Sequence, residues 1–154
     1  MANIHVKKTN IEGLYVIEPI VFSDYRGIYF ETYNYEVFSS YGLNYHFVQD
    51  NESVSKKGVL RGMHVNMKHP QGKLIRVLSG EILDVVIDLR KESKTYMSCF
   101  SICLSAQNYK QLYIPDDEIG FAWNSAAINI DWGIQEPIQN SRDKNSKDLS
   151  EVWL

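Results

Sequence analysis

Short runs of apolar residues, separated by polar and turn residues, recur along the whole chain. They are GLYVIEPIVF (residues 13–22), GIYFETY (27–33), YHFVQDNES (45–53), GVLRGMHVN (58–66), KLIRVLSG (73–80), EILDVVIDLR (81–90), SCFSICLS (98–105) and YKQLYIP (109–115). Each is rich in β-branched and aromatic residues, which suit a pleated, half-buried surface, so each predicts a strand. The pair Ser79-Gly80, between two such runs, predicts a tight hairpin with glycine at positive φ. One short helix is predicted over NYEVFSSYG (34–42), with Asn34 as N-cap and Gly42 just past its end. The tail SRDKNSKDLSEVWL (141–154) is polar and reads as irregular, with Trp153 docking it back onto the body. Many short strands with few helices predict an all-β sandwich or jelly-roll barrel.

Composition narrows the picture. At 154 residues the chain fits one domain, 1–154, with room for a sizeable core. Its 44% apolar and 23% charged residues are ordinary for a soluble globular protein. A net charge of -3 argues against a general nucleic-acid or membrane-surface binder. No apolar stretch reaches the length needed to span a bilayer, and the start, MANIHVKKTNIEGLYV, lacks an apolar export segment. Cys99 and Cys103 fall on one face of a strand, without a metal-binding spacing, and are expected as buried, reduced thiols. A cytoplasmic protein is expected.

Candidate chemistry concentrates between Gly58 and Gly80. The spacing resembles a cupin metal motif: a glycine, five residues, then the histidine position, here His64, with a closing glycine at Gly80. The second histidine position is Asn66, and Lys73 stands where a carboxylate would be expected. A metal site needs several donors converging on one ion, and an ammonium there repels it. The layout predicts a cupin-type barrel, the residues no metal. His64 instead suits proton removal, and Lys73, on the next strand, suits stabilising an oxyanion. Arg26, Glu31, Gln49, Asn51 and Arg61 supply polar and cationic groups upstream, and arginine is the preferred bidentate partner of phosphate.

Together the stretches FSDYRGIYFETY, FVQDNESVSKKGVLRGMH, QGKLIRVLSGEILDVVIDLRKESKTY, LSAQNYKQLYIP, INIDWGI and SRDKN resemble the RmlC-like dTDP-4-dehydrorhamnose 3,5-epimerases of the cupin superfamily. The resemblance implies an isomerase that needs no cofactor. The C4 ketone of a nucleotide-linked 4-keto-6-deoxy sugar acidifies the protons on C3 and C5, a histidine removes one, and a tyrosine acid protonates the opposite face of the enolate. By motif, His64 falls on the base, Asp143 on the aspartate that orients it, and Lys73 near the enolate oxygen. Arg26, Glu31, Gln49, Asn51, Arg61 and Glu118 fall on nucleotide- and sugar-binding positions. The family's homodimer, formed by strand exchange near the N-terminus, is expected here through the strand at GLYVIEP.

The chain also departs from that pattern. After Pro115 about two dozen residues are missing, the length of two strands with their turns. The strand bearing the tyrosine acid lies in that gap. Of the ten tyrosines here, Tyr113 is nearest the junction. The alternatives to an epimerase are a sugar-nucleotide binder or structural paralogue without the acid, and a keto-isomerase on a related sugar nucleotide.

Overall fold

The structure, a computed structural model, describes residues 3–64, 71–115, 124, 125, 128 and 130–152. Strands dominate: β1 (Ile4–Lys8), β2 (Tyr15–Pro19), β3 (Phe22–Asp24), β4 (Gly27–Tyr29), β5 (Lys73–Arg76), β6 (Glu81–Ile87), β7 (Cys99–Ser105) and β8 (Gln111–Ile114). Among the described residues three short helices accompany them, α1 (Tyr35–Ser40), α2 (Ser141–Lys144) and α3 (Leu149–Val152). Among the described residues the strands form an antiparallel sheet in the order β1-β2-β8-β5, a β3–β4 ribbon and a β6–β7 pair.

Alternation along the strands sorts side chains into layers. Val16, Ile75, Leu112 and Ile114 face the inner side of β6–β7, where Val86, Phe100, Ile102 and Leu104 meet them. On the other face of the four-stranded sheet, Ile17, Leu74 and Tyr113 pack beneath α1 against Phe38 and Leu43. Beyond β6–β7, Ile87 and Leu89 pack with Leu149 of α3 and with Met63, Ile128 and Ile130. The tail thus docks through Leu149, and Trp153 lies outside the described residues. No helix among the described residues is long and apolar enough to cross a membrane.

The helix at 34–42 forms as expected. Asn34 accepts the Val37 N–H at 3.3 Å, and Gly42, at φ 80°, closes the helix. The Gly42 and Leu43 N–H groups reach the Ser39 and Phe38 carbonyls, a Schellman closure.

Several expectations need correction. Ser79-Gly80 is no hairpin: β5 pairs with β8 and β6 with β7, so the turn carries the chain from one sheet to the other. Gly80, at φ 75°, supplies the corner, and its carbonyl accepts the Ala106 N–H. The run at 45–53 and the described part of 58–66 form no named strand, with only an isolated bridge at Val59. Tyr45 and Phe47 turn into the cluster beneath α1, but the residues after them pair with no strand among the described residues, and 48–57 is exposed throughout. Strand β1 went unpredicted because IHVKK buries only Ile4 fully. Cys99 and Cys103 are exposed, because β7 turns Phe100, Ile102 and Leu104 to the core and leaves the cysteines on the opposite face. The polar tail holds two one-turn helices. Within the chain, GLYVIEP forms β2, between β1 and β8.

Candidate active site

His64 and Asp143 lie 79 residues apart in sequence, yet their side chains meet, Nε2 to Oδ1, at 2.5 Å. A single parallel bridge, Val59 to Ile138, sets this register. The Leu60 N–H reaches the Ile138 carbonyl at 3.0 Å, and the Ile138 N–H reaches the Gly58 carbonyl at 2.8 Å. Five residues beyond each bridged residue stand His64 and Asp143. Asn140 caps α2 by accepting the Asp143 N–H at 2.8 Å, which fixes the aspartate in the first turn. Met63 anchors the other arm by packing on Ile87, Leu89 and Leu149.

The two partners differ in exposure. The Asp143 side chain is 1% exposed, the His64 ring 41%. A buried carboxylate needs hydrogen bonds to offset its desolvation, and the imidazole N–H supplies one. Donation from Nε2 leaves Nδ1 as the nitrogen with a lone pair, turned from Asp143. One ring nitrogen is thus tied to a carboxylate, and the ring keeps access to solvent.

Lys73 opens β5 and shares a face with Ile75, so it points toward the space between the two sheets. Asp84 was not anticipated. It alternates with Ile82 and Val86 on β6, stands opposite Ile102, and is half-buried on the inner face. Counting by twos from Val86 would have found a carboxylate on an otherwise apolar face.

The described ligand residues each have local partners. Arg26 closes a bidentate ion pair with Asp24 (Nη2 to Oδ2 2.6 Å) and lies over the Tyr25 ring. Glu31 accepts a bond from Asn34, Gln49 bonds Asn51 at 3.2 Å, and Arg61 bonds Ser55 at 3.0 Å. Glu118 and Asn66 lie outside the described residues. Among the described residues no three His, Cys, Asp or Glu side chains group closely enough to hold a metal. A cavity of about 250 Å³ between Phe30, Arg76, Tyr109 and Gln111 contains none of the predicted residues.

Facing antiparallel sheets, with a histidine clipped to a carboxylate from the tail, fit a jelly roll of the cupin class. A family profile described as dTDP-4-dehydrorhamnose 3,5-epimerase matches residues 8–118. A Methanothermobacter thermautotrophicus protein of that name is 39% identical over 180 residues, covering 98% of this chain and 97% of its own. The crystal structure of dTDP-4-dehydrorhamnose 3,5-epimerase from Elizabethkingia anophelis superposes with a TM-score of 0.90 at 35% identity, over 99% of this chain and 100% of that one. An epimerase from Legionella pneumophila, in complex with dTDP-4-keto-L-rhamnose, gives a TM-score of 0.89 at 29% identity, covering 97% and 94%. The chain belongs to the dTDP-4-dehydrorhamnose 3,5-epimerase family. Its alignment with the archaeal relative runs over 180 positions although the chain has 154 residues, so at least 26 positions of that relative face a gap. The profile match ends three residues past Pro115, where the shortening was expected.

Proposed function

We propose that the protein epimerises a nucleotide-linked 4-keto-6-deoxy sugar of the dTDP-4-dehydrorhamnose type, with His64 as the base. The observation that carries this reading is the His64–Asp143 pair, in a chain of this family. The carbonyl at C4 acidifies the neighbouring C–H groups, so removing a proton needs only a positioned base and a charge near the oxygen. Nδ1 of His64 takes the proton. Asp143 holds the ring in that tautomer and supports the imidazolium. The Lys73 ammonium, facing the space between the sheets, stabilises the enolate oxygen. Arg26, Glu31, Gln49, Asn51, Arg61 and Glu118 bind the nucleotide and sugar, and no cofactor takes part.

The functional unit is a homodimer, and the acidic chain takes no nucleic-acid partner. Exposed, unpaired Cys99 and Cys103 suit a reducing cytoplasm. The base assignment is tested with His64→Asn, which is expected to abolish turnover while nucleotide affinity stays within a few-fold of wild type. Surviving turnover would show that the base is another residue.

A further inference from the structure

The cavity of about 250 Å³ beside β5 and β8 has no part in the epimerase reading. Arg76 of β5 and Gln111 of β8 stand opposite each other in register. Both alternate with residues that face β6–β7, so they project from the other face of the sheet, the one away from Lys73. Tyr109 and Lys110 join them from the turn between β7 and β8, and Phe30 from the chain just after β4. Two cations line this cavity and no carboxylate does, among the described residues.

Three observations set it apart from a gap in packing. The Arg76 guanidinium has no hydrogen bond or ion pair among the described residues. Gln111 is 1% exposed; its Nε2 donates to the Thr32 carbonyl at 3.0 Å, while Oε1 has no partner. A buried acceptor in that state is uncommon in a folded protein, and a donor beside it would satisfy it. Tyr109 has φ 55°, in the left-handed region that a bulky residue rarely adopts. Its turn is pinned on both sides: Asn108 Oδ1 accepts the Ser105 and Lys110 N–H groups, and Ser105 Oγ accepts the Asn108 N–H. Glycine or asparagine would hold that turn with less strain, but only an aromatic residue lays a ring against Phe30, 5.1 Å between centroids. Backbone strain of this kind clusters at ligand clamps.

We propose that this cavity binds a small planar anion, one aromatic ring that carries a carboxylate or phosphate and a hydrogen-bond donor. The ring lies against Tyr109 and Phe30, the anionic group pairs with Arg76, and the donor meets Gln111 Oε1. Arginine is the fitting partner because its planar fork matches both carboxylate and phosphate. Lys110 adds positive field but is the lesser contact, since its ammonium already lies 3.6 Å from Glu18. Size limits the ligand. Pockets for drug-sized molecules run from about 300 Å³ upward, so this one suits a single ring with its charged group and not a whole nucleotide-linked sugar.

The test is to add 4-hydroxybenzoate or phenyl phosphate to the ¹⁵N-labelled full chain and follow its amide signals by NMR. Saturable shifts are expected at Arg76, Ala106, Tyr109 and Gln111, and the tighter of the two probes identifies the anionic group. Arg76 is exposed, so Arg76→Gln should keep the thermal midpoint of wild type. It should weaken binding at least about tenfold, the scale of one lost hydrogen bond to a charged group. Tyr109→Gly relieves the turn and should weaken binding as well. Absence of these shifts at millimolar probe, as when a second copy seated on Ile28 closes the cavity, overturns the proposal. So does an Arg76→Gln variant that binds as tightly as wild type, or inorganic phosphate that binds as tightly as phenyl phosphate. Displacement of the probe by thymidine diphosphate would place it in the nucleotide site instead. The readout is binding at this face of the sheet, so it stands or falls apart from the epimerase reading.

Discussion

Asp88 carries more of the fold than its place at the end of a strand suggests. Its side chain is 0% exposed and takes bonds from Arg90, Ser93 and Thr95 at 2.6 to 3.1 Å. Arg90 and Thr95 in turn hold the main chain of Glu12, so one carboxylate clips the turn before β7 to the loop before β2. Burial alone would push the Asp88 carboxyl up, but the Arg90 guanidinium and the Ser93 and Thr95 hydroxyls hold it far below the usual carboxylate range. Asp88→Ala strands these donors and should cost about 3–5 kcal/mol, read by urea unfolding at pH 7. Because the folded value is lowered, the stabilisation is complete above roughly pH 4, the ordinary carboxylate value, and fades as pH falls below it. The wild-type advantage over the variant should therefore shrink between pH 4 and 2; a constant difference would mean that the charge is irrelevant. At this scale the residue types of the site were legible but their partners were not. His64 and Asp143 meet through a bridge between distant segments, which no local pattern records. The Arg26 guanidinium, expected on a phosphate, pairs with Asp24 two residues away.

Elements were legible where their signals are local. Helix α1 was placed by its own cap and its closing glycine. Strands failed where the pattern records burial but not a hydrogen-bonding neighbour: 45–53 reads as a strand, yet it only lays Tyr45 and Phe47 into the cluster beneath α1. Those rings set a demand elsewhere. Tyr45 stacks on Tyr113 at 5.2 Å, and a Cβ built on Gly72 would run into the Tyr45 ring. Glycine at 72 is needed for space, a signal that cannot be read without the fold. Gly72→Ala must push Tyr45 off Tyr113, a form of overpacking that costs about 1–3 kcal/mol. A thermal midpoint equal to that of wild type would show that Tyr45 moves freely and contributes no packing.

The whole molecule has a surface its own chain does not cover. All six strand residues of the β3–β4 ribbon are exposed, and Phe22, Ile28 and Tyr29 are 51%, 51% and 70% accessible. A two-stranded ribbon is marginal in water on its own, and an apolar surface of this kind marks an interface. GLYVIEP lies between β1 and β8 of its own sheet, and the exposed ribbon is a second candidate for the contact. The Asp24–Arg26 pair lies in this ribbon, which would carry Arg26 to the second copy's site. On this argument light scattering with size exclusion gives twice the chain's 17.8 kDa at micromolar concentration. Ile28→Asp places a charge in the contact and should halve that mass while leaving the circular dichroism of the sheets intact, since Ile28 supports no core of its own chain. A wild-type monomer would end the dimer reading, and a dimer indifferent to Ile28→Asp would move the contact to the four-stranded sheet, whose outer strands among the described residues are β1 and β5.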